Sequence, residues 1–298
     1  MKFVTKLLNK IRMVGAFCLI RTGHFLPSKF YLQCLSTLIV KYRVRLDKPQ
    51  TFNEKLNWLK LNDHDPKYTI MADKYKVKKY VADIIGEEYV LPCYGAWKRY
   101  EDIDFAKLPD QFVLKANHDS SGATICKDKT LLDHNDLKKR FNKLLTRNYY
   151  YGAREWPYKN IEPVILAEKI LTDKSSERLR DYKFWCFGGV PTYMYCTVKG
   201  GEVFENFYDM DFNPVDINHG FKRHSPEFEK PSQFEKMKEL AAMLSQDMPF
   251  IRVDFYEVEG KLYFGEFTFY DWGGMRAFKD YAQDLKLGKL INLNISKG

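Results

Sequence analysis

Hydrophobic and polar positions alternate most regularly between Pro249 and Gly274, PFIRVDFYEVEGKLYFGEFTFYDWGG. Ile251, Val253 and Phe255 alternate with Arg252, Asp254 and Tyr256, a period of two that predicts a strand. Glu259-Gly260-Lys261 supplies a turn, and the aromatic-rich run Leu262 to Phe269 predicts the returning strand. A turn centred on Gly260 sets Asp254 opposite Glu266 and Arg252 opposite Thr268, all on one face. Elsewhere the period is helical. Met1 to Arg12 places Phe3, Val4, Leu7, Leu8 and Ile11 on one side and Lys2, Lys6, Lys10 and Arg12 on the other. Phe25 to Val40 is a second apolar helical segment. Thr51 followed three residues on by Glu54 forms a capping box that starts a helix to Asn62. A further helix is expected from near Tyr68 to Gly86, a natural C-cap, with Lys74, Lys76, Lys78 and Lys79 mostly on a solvated face. Phe112 to Leu114 predicts a buried strand ending in Lys115, and Ala123 to Cys126 a second strand beyond a small polar loop. Leu131 to Arg147 reads as a basic helix, Tyr149 to Lys159 as an aromatic loop and Val164 to Ala167 as a buried strand. Asp181 to Phe187 and Thr192 to Val198 predict strands around Gly188-Gly189. Phe234 to Met248 and Asp280 to Leu293 read as helices.

With 45% hydrophobic and 16% aromatic residues, the chain is no disordered protein, and its 298 residues suffice for one or two domains. It has no apolar run of the length a membrane-crossing helix needs. Six cysteines, none in a CxxC pair or at zinc spacing, read as reduced core thiols of a cytosolic protein. The net charge of +9 is unevenly placed: residues 1–50 hold ten Lys/Arg and one acid, Asp47, and the rest of the chain sums to zero. The basic end is therefore a docking segment, and nucleic acid is not an expected partner. Residues 1–20 either lie on an anionic membrane surface or pack on their own domain with the lysines in water. The apolar core Met13 to Ile20 is short, Arg21 ends it, and no small-residue cleavage pattern follows, which argues against export.

Three stretches carry candidate chemistry. In the first, the opposed carboxylates Asp254 and Glu266 would repel unless a cation joined them, and Mg²⁺ takes one or two carboxylates plus phosphate oxygens. Arg252 adds a positive charge beside them, and Gly273-Gly274 lets backbone N–H groups approach an anion. The plain alternative is an exposed hairpin face with ordinary surface charges. In the second, Lys115 and the loop Asn117-His118-Asp119-Ser120-Ser121-Gly122 form a lid able to close over phosphates. The loop has a single glycine and is neither a Walker A loop nor a GxGxxG turn. In the third, Glu168, followed by Lys169, Ile170 and Leu171, offers an acceptor beside backbone groups, as an adenine amino group needs. Asp181 and Lys183 share one face of their strand.

The segments TFNEKLNWLKL, ADKY, FVLKANHDSSG, REWPYKN, DYKFWCFGG and RVDFYEVEGKLYFGEFTFY resemble the ATP-grasp superfamily. They look most like its TupA-like branch, of teichuronopeptide and capsular polysaccharide biosynthesis. The resemblance implies an α+β fold in which two α+β subdomains grip ATP, with an N-terminal helical region. The expected division is a basic segment 1–50, a helical subdomain 51–110, a lid subdomain 111–172 and a C-terminal subdomain 173–298 bearing the metal hairpin. It also implies roles: Lys74, Lys115, Ser120, Ser121 and Gly122 for the phosphates and Glu168, Lys169, Ile170 and Leu171 for adenine. Asp181 and Lys183 are nucleotide or substrate contacts. Asp254, Glu266 and Thr268 are Mg²⁺ ligands, and Arg252, Lys115 and Gly273-Gly274 serve catalysis. His118 and Asp119 either touch substrate or simply shape the lid. Two departures stand out: Thr268 where most such ligases have Asn, and a bulkier lid than the branch's His-Gly-Ser-Gly loop. The implied activity is an ATP-dependent carboxylate–amine ligase acting through an acyl phosphate. It would join an amino acid or amine to a uronic acid of a surface polysaccharide, in the cytoplasm at the inner face of the membrane. The competing readings are a glycosyltransferase or sugar kinase of the same pathway, and a non-catalytic ATP-binding assembly protein docked at the membrane. Asp209-Met210-Asp211 is a lone Asp-x-Asp whose ordinary reading is an acidic loop.

Overall fold

The computed structural model describes residues 2–120, 122–172, 179–198 and 204–294, with side chains from residue 7 onward apart from that of residue 198. Helices α1 (Lys2–Thr22) and α2 (Ser28–Val40) open the chain and pack around Ala16, Tyr31, Leu32 and Leu35. α1 continues well past Arg12, and its apolar residues Leu7, Leu8 and Ile11 are exposed, not folded onto the domain. Helix α3 (Phe52–Asn62) begins with the expected capping box: Thr51 Oγ1 accepts from Glu54 N and Glu54 Oε2 accepts from Thr51 N, both at 3.2 Å.

The single helix expected up to Gly86 is two, α4 (Lys67–Ala72) and α5 (Lys76–Ile85). Asp73 makes the break. Its Oδ1 accepts from the N–H groups of Tyr75 (2.9 Å) and Lys76 (3.2 Å), so the chain caps a new helix there. The freed Lys74 N–H donates to Asn117 O at 3.0 Å, which ties the break to the lid loop. α5 ends at Gly86 with φ 110°, as expected of a C-cap glycine.

Strand β1 (Cys93–Trp97) is not signalled by any alternation, because its register shifts between Cys93 and Gly95. β2 (Phe112–Ala116), β3 (Thr124–Cys126) and β4 (Ile165–Glu168) complete an antiparallel sheet in the order β1-β4-β2-β3. Helix α6 (His134–Leu145) packs on it through Leu137, Phe141 and Leu144. The aromatic stretch after it is not a plain loop: it holds the short helix α7 (Tyr150–Ala153) and a 3₁₀ turn, Trp156–Tyr158.

The second sheet contains β5 (Arg180–Phe187), β6 (Val190–Val198), β7 (Asn206–Tyr208), β8 (Pro214–Val215), β9 (Phe250–Val258) and β10 (Lys261–Thr268). Its antiparallel order is β10-β9-β5-β6-β7-β8. Helix α8 (Phe234–Leu244) buries Phe234, Met237, Leu240, Ala241 and Leu244 against it, and α9 (Tyr281–Gly288) follows the sheet. Trp185, fully buried, stacks on Phe52 at 5.0 Å and joins α3 to this sheet. The molecule is thus α+β, with two antiparallel sheets and N-terminal helices.

The β9–β10 hairpin departs from expectation in an instructive way. Its turn is two residues, Glu259-Gly260, both left-handed (φ 50° and 73°), and Lys261 already belongs to β10. That shifts the register by one. A bulge between Phe264 and Phe267 shifts it back, so Arg252 does pair with Thr268, while Gly265 and Glu266 together oppose Asp254. At Gly265 a Cβ would lie 3.1 Å from Asp254 O and 3.0 Å from the Tyr256 ring, so a larger residue would require these neighbours to give way by a few tenths of an ångström.

All six cysteines are free thiols. Cys126, Cys186 and Cys196 are core residues as expected, but Cys18 is exposed on α1. Among the described residues no helix is long and apolar enough to cross a membrane.

Candidate active site

A cleft of about 320 Å³ lies between the two sheets, lined by Lys74, Lys78, Lys115, Glu168, Asp181 and Glu266 among others. The sequence assigns five of these six to one site. The structure brings them together and adds Lys78.

One wall is rich in lysine. Lys74 enters from the α4–α5 break, and burial lowers its pKa against the opposing pull of Glu266. Lys115 on β2 forms an ion pair with Glu168 at the end of β4. Lys78 of α5, which its helical position alone would send to solvent, turns inward. It donates to Glu168 Oε1 and to Leu91 O, both at 2.7 Å. Glu168 is therefore no isolated acceptor: it is 3% exposed and each of its oxygens meets a lysine. After it, the Lys169 N–H donates to Pro92 O at 3.0 Å and its side chain is exposed. Ile170 and Leu171 are half-buried, and their N–H groups have no partner among the described residues.

The lid loop hangs between β2 and β3. His118 is buried at its base, its ring nitrogens facing Asn117 Oδ1 (3.1 Å) and Leu144 O (3.2 Å). It anchors the loop to α6. Ser120 lines the cleft, whereas Ser121 lies outside the described residues. Gly122 closes the loop against Asp119, where a Cβ would come within 2.6 Å of Asp119 Oδ2.

The other wall, the floor, is the polar face of β5, β9 and β10. Lys183 and Asp254 are cross-strand partners. Lys183 Nζ donates to Asp181 Oδ2 (2.5 Å) and Asp254 Oδ2 (2.7 Å). Arg252 grips Asp254 with two bonds of 2.7 Å and reaches Asp271 Oδ1 at 2.6 Å and Glu266 Oε1 at 3.2 Å. Burial alone would raise the Asp254 pKa, but Arg252 and Lys183 overcome it and hold the carboxyl below the usual range. Burial likewise opposes the Lys183 charge, and Asp181 and Asp254 outweigh it. Asp254 is fully buried and Arg252 8% exposed, so this is not the exposed hairpin face of the plain alternative.

Sequence reading misses the outer part of this network. Tyr195 OH donates to Asp271 Oδ1 at 3.1 Å, and His219 stands between Glu205 (3.1 Å) and Asp271 Oδ2 (3.8 Å). Asp271 Oδ2 is buried without a hydrogen-bond partner among the described residues. Only the position of Asp271, directly after the hairpin, hints at a role.

The donor set fits a divalent cation. Asp254 Oδ2 and Glu266 Oε1 converge on one nitrogen, Arg252 Nη2, at 2.7 and 3.2 Å. Thr268, paired with Arg252, puts a hydroxyl on the same face. The donors are hard oxygens, and the acids outnumber the bases. Among the described residues no three His, Cys, Asp or Glu side chains form a ready cage.

The Gly273-Gly274 turn (φ 62° and 60°) is held from behind. Lys60 Nζ donates to Gly273 O and Asn57 Nδ2 to Gly274 O, both at 2.6 Å. Gly273 N–H donates to Tyr270 O at 2.7 Å, so it is already engaged inside the turn. Beneath the turn, burial pushes the Lys60 pKa down and the Glu155 pKa up. Asp209-Met210-Asp211 is a turn: Asp209 Oδ1 accepts from Asp211 N (2.9 Å) and Asn213 N (2.8 Å), the acidic-loop role.

Several solved structures are similar to the chain at low identity. The D-alanine–D-alanine ligase of Helicobacter pylori is 14% identical, with TM-score 0.43, covering 82% of this chain and 70% of its own. That of Bacillus anthracis is 18% identical, with TM-score 0.45, covering 76% and 69%. The ATP-grasp ligase PsnB, complexed with a minimal precursor, is 10% identical, with TM-score 0.40, covering 80% and 65%. No curated protein sequence matches the chain significantly. Residues 54–292, most of the chain, match the family model described as TupA-like ATP-grasp. The chain belongs to the TupA-like ATP-grasp family.

Proposed function

We propose that the protein is an ATP-dependent carboxylate–amine ligase that attaches an amino acid or amine to a uronic acid of a surface polysaccharide. One observation carries the reading: a lysine-rich wall faces an acid-rich floor across a single cleft, with two carboxylates converging on one point. A polyphosphate needs the first wall and its divalent cation the second.

Lys74 and Lys115, joined by Lys78, take the phosphates, with Ser120 and Gly122 of the lid; Ser121, assigned the same role by resemblance, lies outside the described residues. Glu168 and the backbone from Lys169 to Leu171 take adenine. Asp254 and Glu266, with Thr268, would hold Mg²⁺, which neutralises phosphate charge. Arg252 is fixed by Asp254 and Asp271 and stabilises the transferring phosphoryl group, with Asp181 and Lys183 setting the floor's charge. Gly273-Gly274 shapes the wall beside the acyl carbon. In the first step the substrate carboxylate oxygen bonds to the γ-phosphorus and the bond to ADP breaks. The amine nitrogen then attacks the acyl carbon, phosphate leaves, and the nitrogen loses a proton, giving the amide.

The test is coupled ADP release by the purified protein with Mg²⁺-ATP, pooled amino acids and uronic-acid oligosaccharides. ADP that appears only when both pools are present supports a ligase. ADP without the amine pool would point to a kinase, and UDP release from a UDP-sugar to a transferase. ATP binding without turnover on any acceptor would favour the assembly protein.

A further inference from the structure

A second cavity, of about 310 Å³, lies on the other side of the lid loop. Asp119 faces it where Ser120 faces the cleft, and Gly273 borders it two residues beyond Asp271, the carboxylate that holds Arg252. It therefore opens beside the phosphate end of the proposed site. Arg147 lines it, is exposed, and makes no ion pair among the described residues. Trp272 lines it with 46% of its surface exposed; Arg276 lies over its ring at 4.8 Å and Phe221 packs at 5.3 Å, and the uncovered part is a platform for a sugar ring. Arg147 suits the anionic group of a sugar head, and Asp119 can accept from its hydroxyls.

The opposite wall is of another kind. Ile20 of α1 and Ile39 of α2 line the cavity, surfaces with nothing to offer a free polysaccharide. Ile20 is also the end of an exposed ridge. Met13, Phe17 and Ile20 stand at helical spacing i, i+4, i+7 and are 59%, 56% and 44% exposed. Leu7, Ile11 and Val14 are exposed roughly 120° further round the helix, and the Arg21 guanidinium lies over the Phe17 ring at 4.7 Å. An apolar ridge of this length, on the segment that holds the chain's whole net charge of +9, fits the surface of an anionic bilayer.

We propose that the acceptor is an amphiphile, an anionic sugar head on a lipid chain. The head sits between Arg147 and Trp272, the chain leaves past Ile20, and α1 lies on the bilayer that supplies it. This rests on the ligase reading above and names the form in which its carboxylate substrate arrives.

The test uses the full chain and two probes, glucuronate and octyl glucuronide, the latter below its micelle-forming concentration. Binding is followed by calorimetry with Mg²⁺-ATP affinity measured on the same samples. The alkyl probe is expected to bind at least about tenfold tighter than glucuronate, since each buried methylene adds a fixed increment. Ile20→Glu should abolish that preference and Arg147→Gln should weaken both probes about tenfold, each with ATP affinity unchanged. The chain should also sediment with phosphatidylglycerol vesicles and not with phosphatidylcholine vesicles, and Phe17→Glu should reduce it. Equal affinity for the two probes, a preference that survives Ile20→Glu, or no binding of either probe would overturn the inference. Failure of the unaltered chain to bind Mg²⁺-ATP would sink the ligase reading beneath it instead.

Discussion

The two walls of the cleft carry opposite charge and are built by different means. On the lysine wall Lys74, Lys78 and Lys115 face one acid, Glu168, a formal excess of two positive charges. On the floor Asp181, Asp254, Glu266 and Asp271 face Lys183 and Arg252, an excess of two negative charges. The lysines come from a helix break, a helix and a strand, with Glu168 bridging Lys78 and Lys115. The floor residues come from adjacent strands and lock one another through bonds of 2.5 to 3.2 Å. The floor is thus the more densely bonded of the two walls, and we expect it to be the more rigid. Like charge gathered on each side is unfavourable by itself, and in the proposed reading a polyanion with its cation would relieve both.

The largest expected effect is on the floor. Asp254→Asn removes the carboxylate that Arg252 and Lys183 share and leaves buried cations short of a partner. Stability should fall by about 3 kcal/mol, read from the urea unfolding midpoint. A loss within about 0.5 kcal/mol, as for an ordinary surface residue, would mean that the floor is not the rigid half of the comparison. Glu266→Gln separates function from that rigidity. Its side chain is 44% exposed and meets Arg252 only at 3.2 Å, so the fold should tolerate the change. ADP release should nevertheless fall about a hundredfold or more and require more Mg²⁺. Unchanged Mg²⁺ dependence would remove Glu266 from the metal site.

The lysine wall is broken more gently. Lys78→Met keeps the packing of α5 but removes one positive charge, and ATP affinity should fall about tenfold in a fluorescent-nucleotide displacement assay. If affinity is unchanged, Lys78 serves only to hold Glu168, and the excess charge on that wall is not for the nucleotide.

How much of this is legible in the sequence follows from how each wall is built. The hairpin can be read because alternation fixes which residues share a face. The register at Arg252 and Thr268 comes out as expected only because a two-residue turn and the bulge at Gly265-Glu266 offset each other. Lys115 can be read from the strand that ends at the lid loop, whereas Lys74 is recognisable only by resemblance to a family, since the periodicity runs through the break that Asp73 makes and gives no sign of the Asn117 O contact behind it. Lys78 is invisible for the same reason: its partner Glu168 lies far along the chain. Glu205, His219 and Asp271 meet through the path of the chain outside the strands, which no local period encodes. In α1 the amphipathic pattern is plain, but only packing reveals that the apolar side faces outward.

The smallest expected effect sharpens the comparison by pH. Lys60 and Glu155, beneath the Gly273-Gly274 turn, are one base and one acid with no excess, and burial moves both toward neutrality. Burial raises the Glu155 pKa from 4.5 to about 7, with Lys60 opposing. Between those values the folded protein binds more protons than the unfolded chain. The stability from a neutral Glu155 is thus fully present below about pH 4.5 and lost as pH rises through about 7. Glu155→Gln has no proton to lose. Its stability should decline less than that of the unaltered protein between pH 5 and 7.5, by on the order of 1 kcal/mol in urea unfolding. The floor behaves with the opposite sign. Asp254 is held below its usual value of 3.8, so its contribution is complete above that pH and fails only in acid. The same slope in both proteins would mean that Glu155 is already ionised in the fold, and the turn would then rest on a charged pair like the floor's.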